Sequence, residues 1–211
     1  MIATRRAWTR RALLAAAATT LMAMTAGCTR PAPVKETFVL EPTAPPAVAK
    51  SQPGMLRVGT ITVGAPFRGR SFVFRESELK FETDYYREFL VAPAANIGEA
   101  TARALAAANT FASVVPSGVI ADPDWVLEGF VDALYGDARD VAKPQAVLAI
   151  TFFLRRGSGD AGVPLWSRKY ERRLAFTPGS AGAYVTTLNA ALGEILAELS
   201  RDLSALTLPK P

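Results

Sequence analysis

Residues able to do covalent or acid–base chemistry are few in this chain of 211 residues. Cys28 is the only cysteine. Ser77-Glu78-Leu79-Lys80 has the Ser-x-x-Lys spacing of a serine nucleophile that passes its proton to a lysine one helical turn on. Glu76, Glu78, Glu82 and Asp84 form an acidic stretch. Paired carboxylates of this kind can share the acid and base roles of glycoside hydrolysis or ligate calcium. Asp122, Asp124, Asp137 and Asp140 flank an apolar run. There is no histidine. Its absence removes the commonest general base, the commonest transition-metal ligand and the Ser-His-Asp and Cys-His arrangements.

The neighbours of these residues favour structural roles. A Ser-x-x-Lys nucleophile belongs at a helix start, yet Ser77 lies in a polar connection between two alternating apolar runs. That reads as a surface turn, and no Ser-Asp-Asn or Lys-Thr-Gly partner accompanies it. The acidic stretch lacks the loop spacing of a calcium site and reads as the wet face of a strand. The aspartates at 122, 124, 137 and 140 read as turn residues. Trp125 and Trp166 read as sheet packing. Gly64, Gly69 and Gly98 lack the spacing of a phosphate loop. The chain is therefore expected not to be an enzyme, and to hold no cofactor and no metal.

Cys28 is different, because the segment before it gives it a purpose. Arg5, Arg6, Arg10 and Arg11 precede an apolar run from Ala12 to Met24, and Met24-Thr-Ala-Gly-Cys28 follows. Cationic, then apolar, then small residues is the layout of a secretory signal peptide. No acid falls before Cys28. A cleavage site ending directly on cysteine resembles the lipobox of bacterial lipoproteins. The resemblance implies cleavage after Gly27, a diacylglyceryl thioether on Cys28 and an acylated α-amino group. Thr9-Arg10-Arg11-Ala12-Leu13-Leu14 is also a loose twin-arginine match, so both export routes stay open. Thr29, next to the cysteine, is not the aspartate that commonly retains lipoproteins in the inner membrane. The expected address is the outer membrane, facing the periplasm.

Removing residues 1–27 changes the charge argument. The full chain carries 24 basic and 19 acidic residues, net +5. Four arginines lie in the leader, which leaves 20 against 19. The basic balance that would suggest nucleic acid as a partner belongs to the discarded segment. The remaining 184 residues are enough for one domain with a real core. With Cys28 lipidated no thiol is left for a disulfide, so packing alone must hold the domain.

The elements that would position these residues follow from periodicity. Residues 28–54 hold six of the fifteen prolines and read as a lipidated cysteine plus a proline-rich tether. A short edge strand is expected at 38–40. From residue 55 to 208 a single folded domain is expected. Strands are expected at 55–63, 71–75, 79–86, 111–115, 125–135, 146–154 and 166–176. In the strand beginning at Trp125, Leu127, Val131, Ala133 and Tyr135 are expected to face inward together. The stretch 146–154 is apolar on both faces and reads as central. Gly157-Ser158-Gly159-Asp160 reads as the turn after it. Helices are expected at 93–109, with Ile97, Thr101, Ala104, Leu105 and Ala108 on one face, and at 181–206, with leucines recurring at steps of three and four. The order β-β-β-β-α-β-β-β-β-α predicts an α+β fold, a mostly antiparallel sheet with two helices on one face. Arg168, Lys169, Arg172 and Arg173 crowd the last strand, and they are the candidate partner surface.

The order of these features resembles the ABC-type transport auxiliary lipoprotein family, which includes the lipoprotein component of the Pqi system. The residues that carry the resemblance are the lipobox, Phe38-Val39-Leu40-Glu41-Pro42, Leu56-Arg57-Val58-Gly59-Thr60-Ile61-Thr62-Val63, the pair Phe72-Val73-Phe74-Arg75 and Leu79-Lys80-Phe81, Ala100-Thr101-Ala102-Arg103-Ala104-Leu105, Asp124-Trp125-Val126-Leu127-Glu128-Gly129-Phe130, and the closing amphipathic helix. The resemblance implies a non-catalytic component of a lipid-transporting ABC system. It would be anchored by the lipid on Cys28 and would dock on the MCE-type substrate-binding protein, with a homo-oligomer possible. The alternative is an envelope assembly or pilot lipoprotein that escorts an outer-membrane protein.

Overall fold

Among the described residues, eight strands and two α-helices follow one another in the order the periodicities predict. The computed structural model describes residues 34–157 and 163–209. Most of the turn expected at 157–160 therefore lies outside the described residues, as do the leader and Cys28. The strands are β1 (Glu36–Phe38), β2 (Gln52–Val63), β3 (Ser71–Arg75), β4 (Phe81–Phe89), β5 (Phe111–Val115), β6 (Trp125–Asp137), β7 (Gln145–Arg156) and β8 (Trp166–Ala175). Helix α1 (Pro93–Ala107) precedes β5, and α2 (Ala181–Ala205) closes the fold. Pro93 at the first turn presets α1. Ser180 caps α2, its side chain accepting from the Ala183 N–H at 3.1 Å.

The fold is α+β. The two longest ladders, β6 with β7 and β7 with β8, are antiparallel. The parallel pairings of β1 with β4, β2 with β5 and β6, and β3 with β6 are shorter. One edge of β6 serves two strands in series. β2 pairs with its first half, from Trp125 to Val131, and β3 with Gly136 and Asp137 at its end. Helix α1 packs on β2 and β5, α2 packs on β7 and β8, and the helices touch each other. Ile97, Leu105, Leu188, Leu192, Ile195 and Leu199 are fully buried beneath them. β7 is central as its sequence predicts, with Val147, Leu148, Ile150 and Leu154 fully buried.

Two expectations are corrected. The compact unit begins at Lys35 rather than at residue 55. Leu40 is fully buried in the stretch read as tether. It is held there by Asn96 of α1, whose side chain accepts from the Leu40 N–H and donates to the Leu40 C=O, both at 2.8 Å. A side-chain amide that pairs both backbone groups of one residue acts as a one-residue strand partner. Asn189 of α2 accepts from the Glu41 N–H at 2.7 Å. Proline spacing excludes helix from this stretch, but it does not exclude packing.

The second correction concerns β6. Its register with β7 shifts between Val131 and Ala133. A bulge adds one residue and reverses the alternation beyond it. Gly136 therefore faces the helices, where a Cβ would meet the Phe74 ring at 2.5 Å and Tyr184 of α2 at 3.5 Å. Tyr135 points the other way and stacks on Phe67, ring centroids 5.6 Å apart. Ala133 and Tyr135 thus do not share the face of Leu127 and Val131.

Candidate functional site

The Ser-x-x-Lys match falls in the tight connection between β3 and β4. Ser77 Oγ accepts from the Lys80 backbone N–H at 3.2 Å, which fixes a turn and not a helix start. The Lys80 ammonium is paired with Glu76, which raises its pKa and lowers that of Glu76. A lysine held cationic in this way is no base for Ser77. The acidic stretch is dispersed along the same hairpin. Glu78 pairs with Arg75 at 2.9 Å and Arg139 at 2.5 Å, and Glu82 lies 3.6 Å from Lys80. Asp84 accepts from two backbone N–H groups, those of Tyr86 and Arg87.

The other aspartates organise backbone. Asp124 Oδ2 accepts from the Met55 N–H at 2.7 Å, closing a bulge in β2 at Gly54. Gly54 sits there at φ +89°, where a side chain would be strained and would strike Asp124. Asp140 accepts from the Ala142 N–H at 3.0 Å. Asp137 is nearly buried between Arg139 at 2.7 Å and Arg173 at 3.7 Å. The Arg139 guanidinium holds its carboxyl below the usual range.

The four cations on β8 do not form one surface. Successive strand residues point to opposite faces, so Arg168 and Arg172 turn under α2 while Lys169 and Arg173 face away from it. Arg168 reaches Glu198 at 2.7 Å and Asp202 at 2.8 Å. Arg172 reaches Glu194 at 2.8 Å and Glu198 at 2.6 Å. Between them the Tyr170 hydroxyl donates to Asp202 at 2.5 Å. Two residues of strand advance about 6.6 Å and four of helix about 6 Å. The row 168-170-172 therefore keeps pace with the row 202-198-194. On the other face, Lys169 lies 3.8 Å from Asp132, and Arg173 pairs with Glu171 at 2.7 Å. The period of two, readable in the sequence, already separates these two pairs.

Every perturbed titration among the described residues runs away from neutrality. The carboxyls of Glu76, Asp137 and Glu198 are lowered by their cationic partners. Lys80, Arg139, Arg172 and Arg173 are raised by their carboxylates. Burial raises Tyr170, with Asp202 adding to it, and burial alone raises Tyr184. A proton-transfer site needs the opposite shifts, toward the working pH. An apolar cleft opens at the start of α2, lined by Phe74, Val141, Pro144, Phe176 and Pro178, with Arg87 its one titratable wall. No group of three or more Asp, Glu, His or Cys that could hold a metal ion occurs among the described residues. No described helix is long and apolar enough to cross a membrane.

One feature that sequence reasoning missed stands out at the sheet's end. The β3–β4 register passes from Val73↔Thr83 to Ser71↔Glu88, so β4 gains residues that β3 does not match. Residues 84–87 thus stand opposite Phe72 alone, and the excess arches away under the two hydrogen bonds to Asp84. It displays Tyr85 at 72% exposure and Tyr86 at 44%, their rings edge to face at 5.1 Å. The signal was Asp84 itself. An aspartate inside an aromatic strand is a turn former that can capture the N–H two residues on.

No protein-family model matches the chain, and no curated protein matches it. Solved structures share its fold. Protein XCC0632 from Xanthomonas campestris, assigned to family model DUF330, superposes with a TM-score of 0.71 at 15% identity, over 80% of this chain and 94% of that one. An uncharacterised protein superposes with a TM-score of 0.64 at 14% identity, over 81% and 99% of the two chains. At these identities the likeness is one of architecture: a mixed sheet backed by two helices.

Proposed function

We propose that this chain is a non-catalytic, lipid-anchored component of an MCE-type ABC lipid-transport system. It would sit on the periplasmic side of the outer membrane and dock on the MCE-type substrate-binding protein. The observation that carries the reading is Cys28, the lone cysteine, placed where an apolar leader ends and only six residues before the fold begins at Lys35. Two further observations support it. The acidic and basic side chains that could do chemistry are engaged in ion pairs and turns, and the three among them whose titration is shifted, Glu76, Lys80 and Asp137, are driven away from neutral pH. Beyond the lipobox, the segments that carry the resemblance to the auxiliary lipoprotein family form strands and helices in the order expected of them.

The mechanism is then one of placement. Six residues of extended chain span at most about 20 Å, so a lipid on Cys28 keeps the body close to its membrane. The test has two arms. Affinity capture of the lipidated protein from solubilised envelopes is expected to bring down an MCE-type protein. Recovery of the protein alone, in preparations that preserve other envelope complexes, defeats the transport reading. Cys28→Ser is expected to leave the fold intact and to release the protein from membranes. A soluble Cys28→Ser protein that supports full function in cells defeats the anchor.

A further inference from the structure

We infer that the arch of β4 at Tyr85 and Tyr86 is a membrane-contact site, its two rings lodging in the lipid headgroup layer beside the anchor. The inference rests on the lipidation of Cys28 and goes beyond it, since an anchor fixes distance but not orientation.

Three observations meet at this arch. The first is where the chain enters the fold. Lys35 opens the compact unit, and its ammonium lies over the Tyr85 ring, 5.2 Å from the centroid. Six residues separate Lys35 from Cys28. At full extension of the intervening chain and of the Lys35 side chain, the Tyr85 ring is therefore within about 35 Å of Cys28. The second is exposure. Two adjacent aromatic rings turned to solvent are not a by-product of sheet packing, because β4 spends unmatched residues to display them. Tyrosine has an apolar body and a hydroxyl that prefers water, the combination that settles at membrane–water interfaces. The third is rigidity. Asp84 holds the arch through the Tyr86 and Arg87 N–H groups at 2.8 and 3.1 Å. The flanks are fixed by β3 on one side and by β1 on the other. A preformed projection loses little order on insertion.

Local charge shapes the kind of surface expected. Lys35 and Arg70 share Glu88, at 3.5 and 2.9 Å, and Arg87 lies between Glu36 and Asp84 at 3.4 and 3.5 Å. Three cations balance three carboxylates. The contact therefore depends on the rings rather than on anionic lipid, and it should form on phosphatidylcholine and survive high salt.

The chain supplies a clean probe. In the mature protein Cys28 is the only cysteine and is blocked by its lipid, so one introduced cysteine is the sole free thiol. The lipidated full-length protein carrying Thr83→Cys, which keeps both tyrosines, is labelled with an environment-sensitive fluorophore. It is reconstituted into phosphatidylcholine vesicles containing a nitroxide-headgroup phospholipid. Ser113→Cys, exposed on β5 at the far end of the sheet, is the comparison. Label at 83 is expected to lose severalfold more emission than label at 113, and Tyr85→Ser with Tyr86→Ser is expected to bring the two close together. Equal quenching at 83 and 113 while the protein still floats with the vesicles overturns the contact site and leaves the anchor standing. That is also the outcome if the tyrosines serve a protein partner. Strong quenching at 83 that survives both tyrosine replacements overturns the role of the rings. Failure of the wild-type protein to float with vesicles overturns the anchor and the contact site together.

Discussion

The two halves of this sheet are built on different terms. In the C-terminal half, β6, β7 and β8 run as long antiparallel ladders under α2, and the helix-facing row of β7, Ala146, Leu148, Ile150, Phe152 and Leu154, is aliphatic or aromatic and fully buried. In the N-terminal half, β1 has three residues, β3 has five, and the ladder between β3 and β4 is interrupted at the arch. Polar side chains do there what ladders do elsewhere. Asn96 completes Leu40, Glu88 gathers Lys35 and Arg70, and Asp84 folds the arch. Hydrophobic burial is non-directional and forgiving of shape. Side-chain hydrogen bonds fix individual backbone groups. The first kind of construction gives a stable platform, and the second lets short pieces be aimed.

Substitutions in each half separate the two kinds of construction. Leu148→Ala removes a fully buried side chain from the central strand. It should lower the unfolding free energy by about 2–5 kcal/mol, read as a lower denaturant midpoint with an unchanged slope. Asn96→Ala strands the buried N–H and C=O of Leu40, at about 1–3 kcal/mol per unpaired group. Its signature should be local. Hydrogen exchange should quicken over residues 36–41 and stay slow in β6 and β7. Equal loss of protection in both regions would mean the two halves form one cooperative unit, and the distinction drawn here would fall.

Arg172→Ala removes the link from β8 to Glu194 and one of its two links to Glu198, on a partly solvated surface. It should cost about 0.5–1 kcal/mol, less in high salt. The same network predicts a pH dependence. Arg172 holds the Glu198 carboxyl below its ordinary value of 4.5 in the folded state. The ionised form is thus favoured by folding. Its contribution is complete above pH 4.5 and is lost as the pH falls through the lower folded value. The wild-type protein should therefore lose stability below that point more steeply than Arg172→Ala, and coincident acid limbs would show that the network contributes nothing. Tyr85→Ser should change stability by no more than about 0.5 kcal/mol. A larger loss would mean that the arch supports the fold instead of projecting from it.

The same contrast explains what could be read from the sequence. Ladders and amphipathic helices announce themselves by period, so β5, β7 and α2 lie where alternation and three-four spacing place them. Irregularities carry no period. The shift after Val131 leaves the composition of β6 unchanged and moves Ala133 and Tyr135 to the other face. The burial of Leu40 depends on an asparagine 56 residues away. Proline content told correctly that residues 39–51 are not helix, but the edge strand expected at 38–40 lies at Glu36–Phe38, and neither signal said what the stretch touches. The split of the β8 cations was legible, because a period of two assigns 168 and 172 to one face and 169 and 173 to the other. Read as composition, four basic residues looked like one patch. Read as positions, they are two pairs on opposite faces, each with acids of its own.

The Asn96–Leu40 pair also has a mechanical meaning. A pull applied to the chain ahead of Lys35 meets β1 first. There it meets three register pairs with β4 and then the two hydrogen bonds of one asparagine. The long β6–β7 ladder lies on a separate path and takes little of that load. β1 and Asn96 are thus a short joint set in series ahead of the platform, the first to carry such a load.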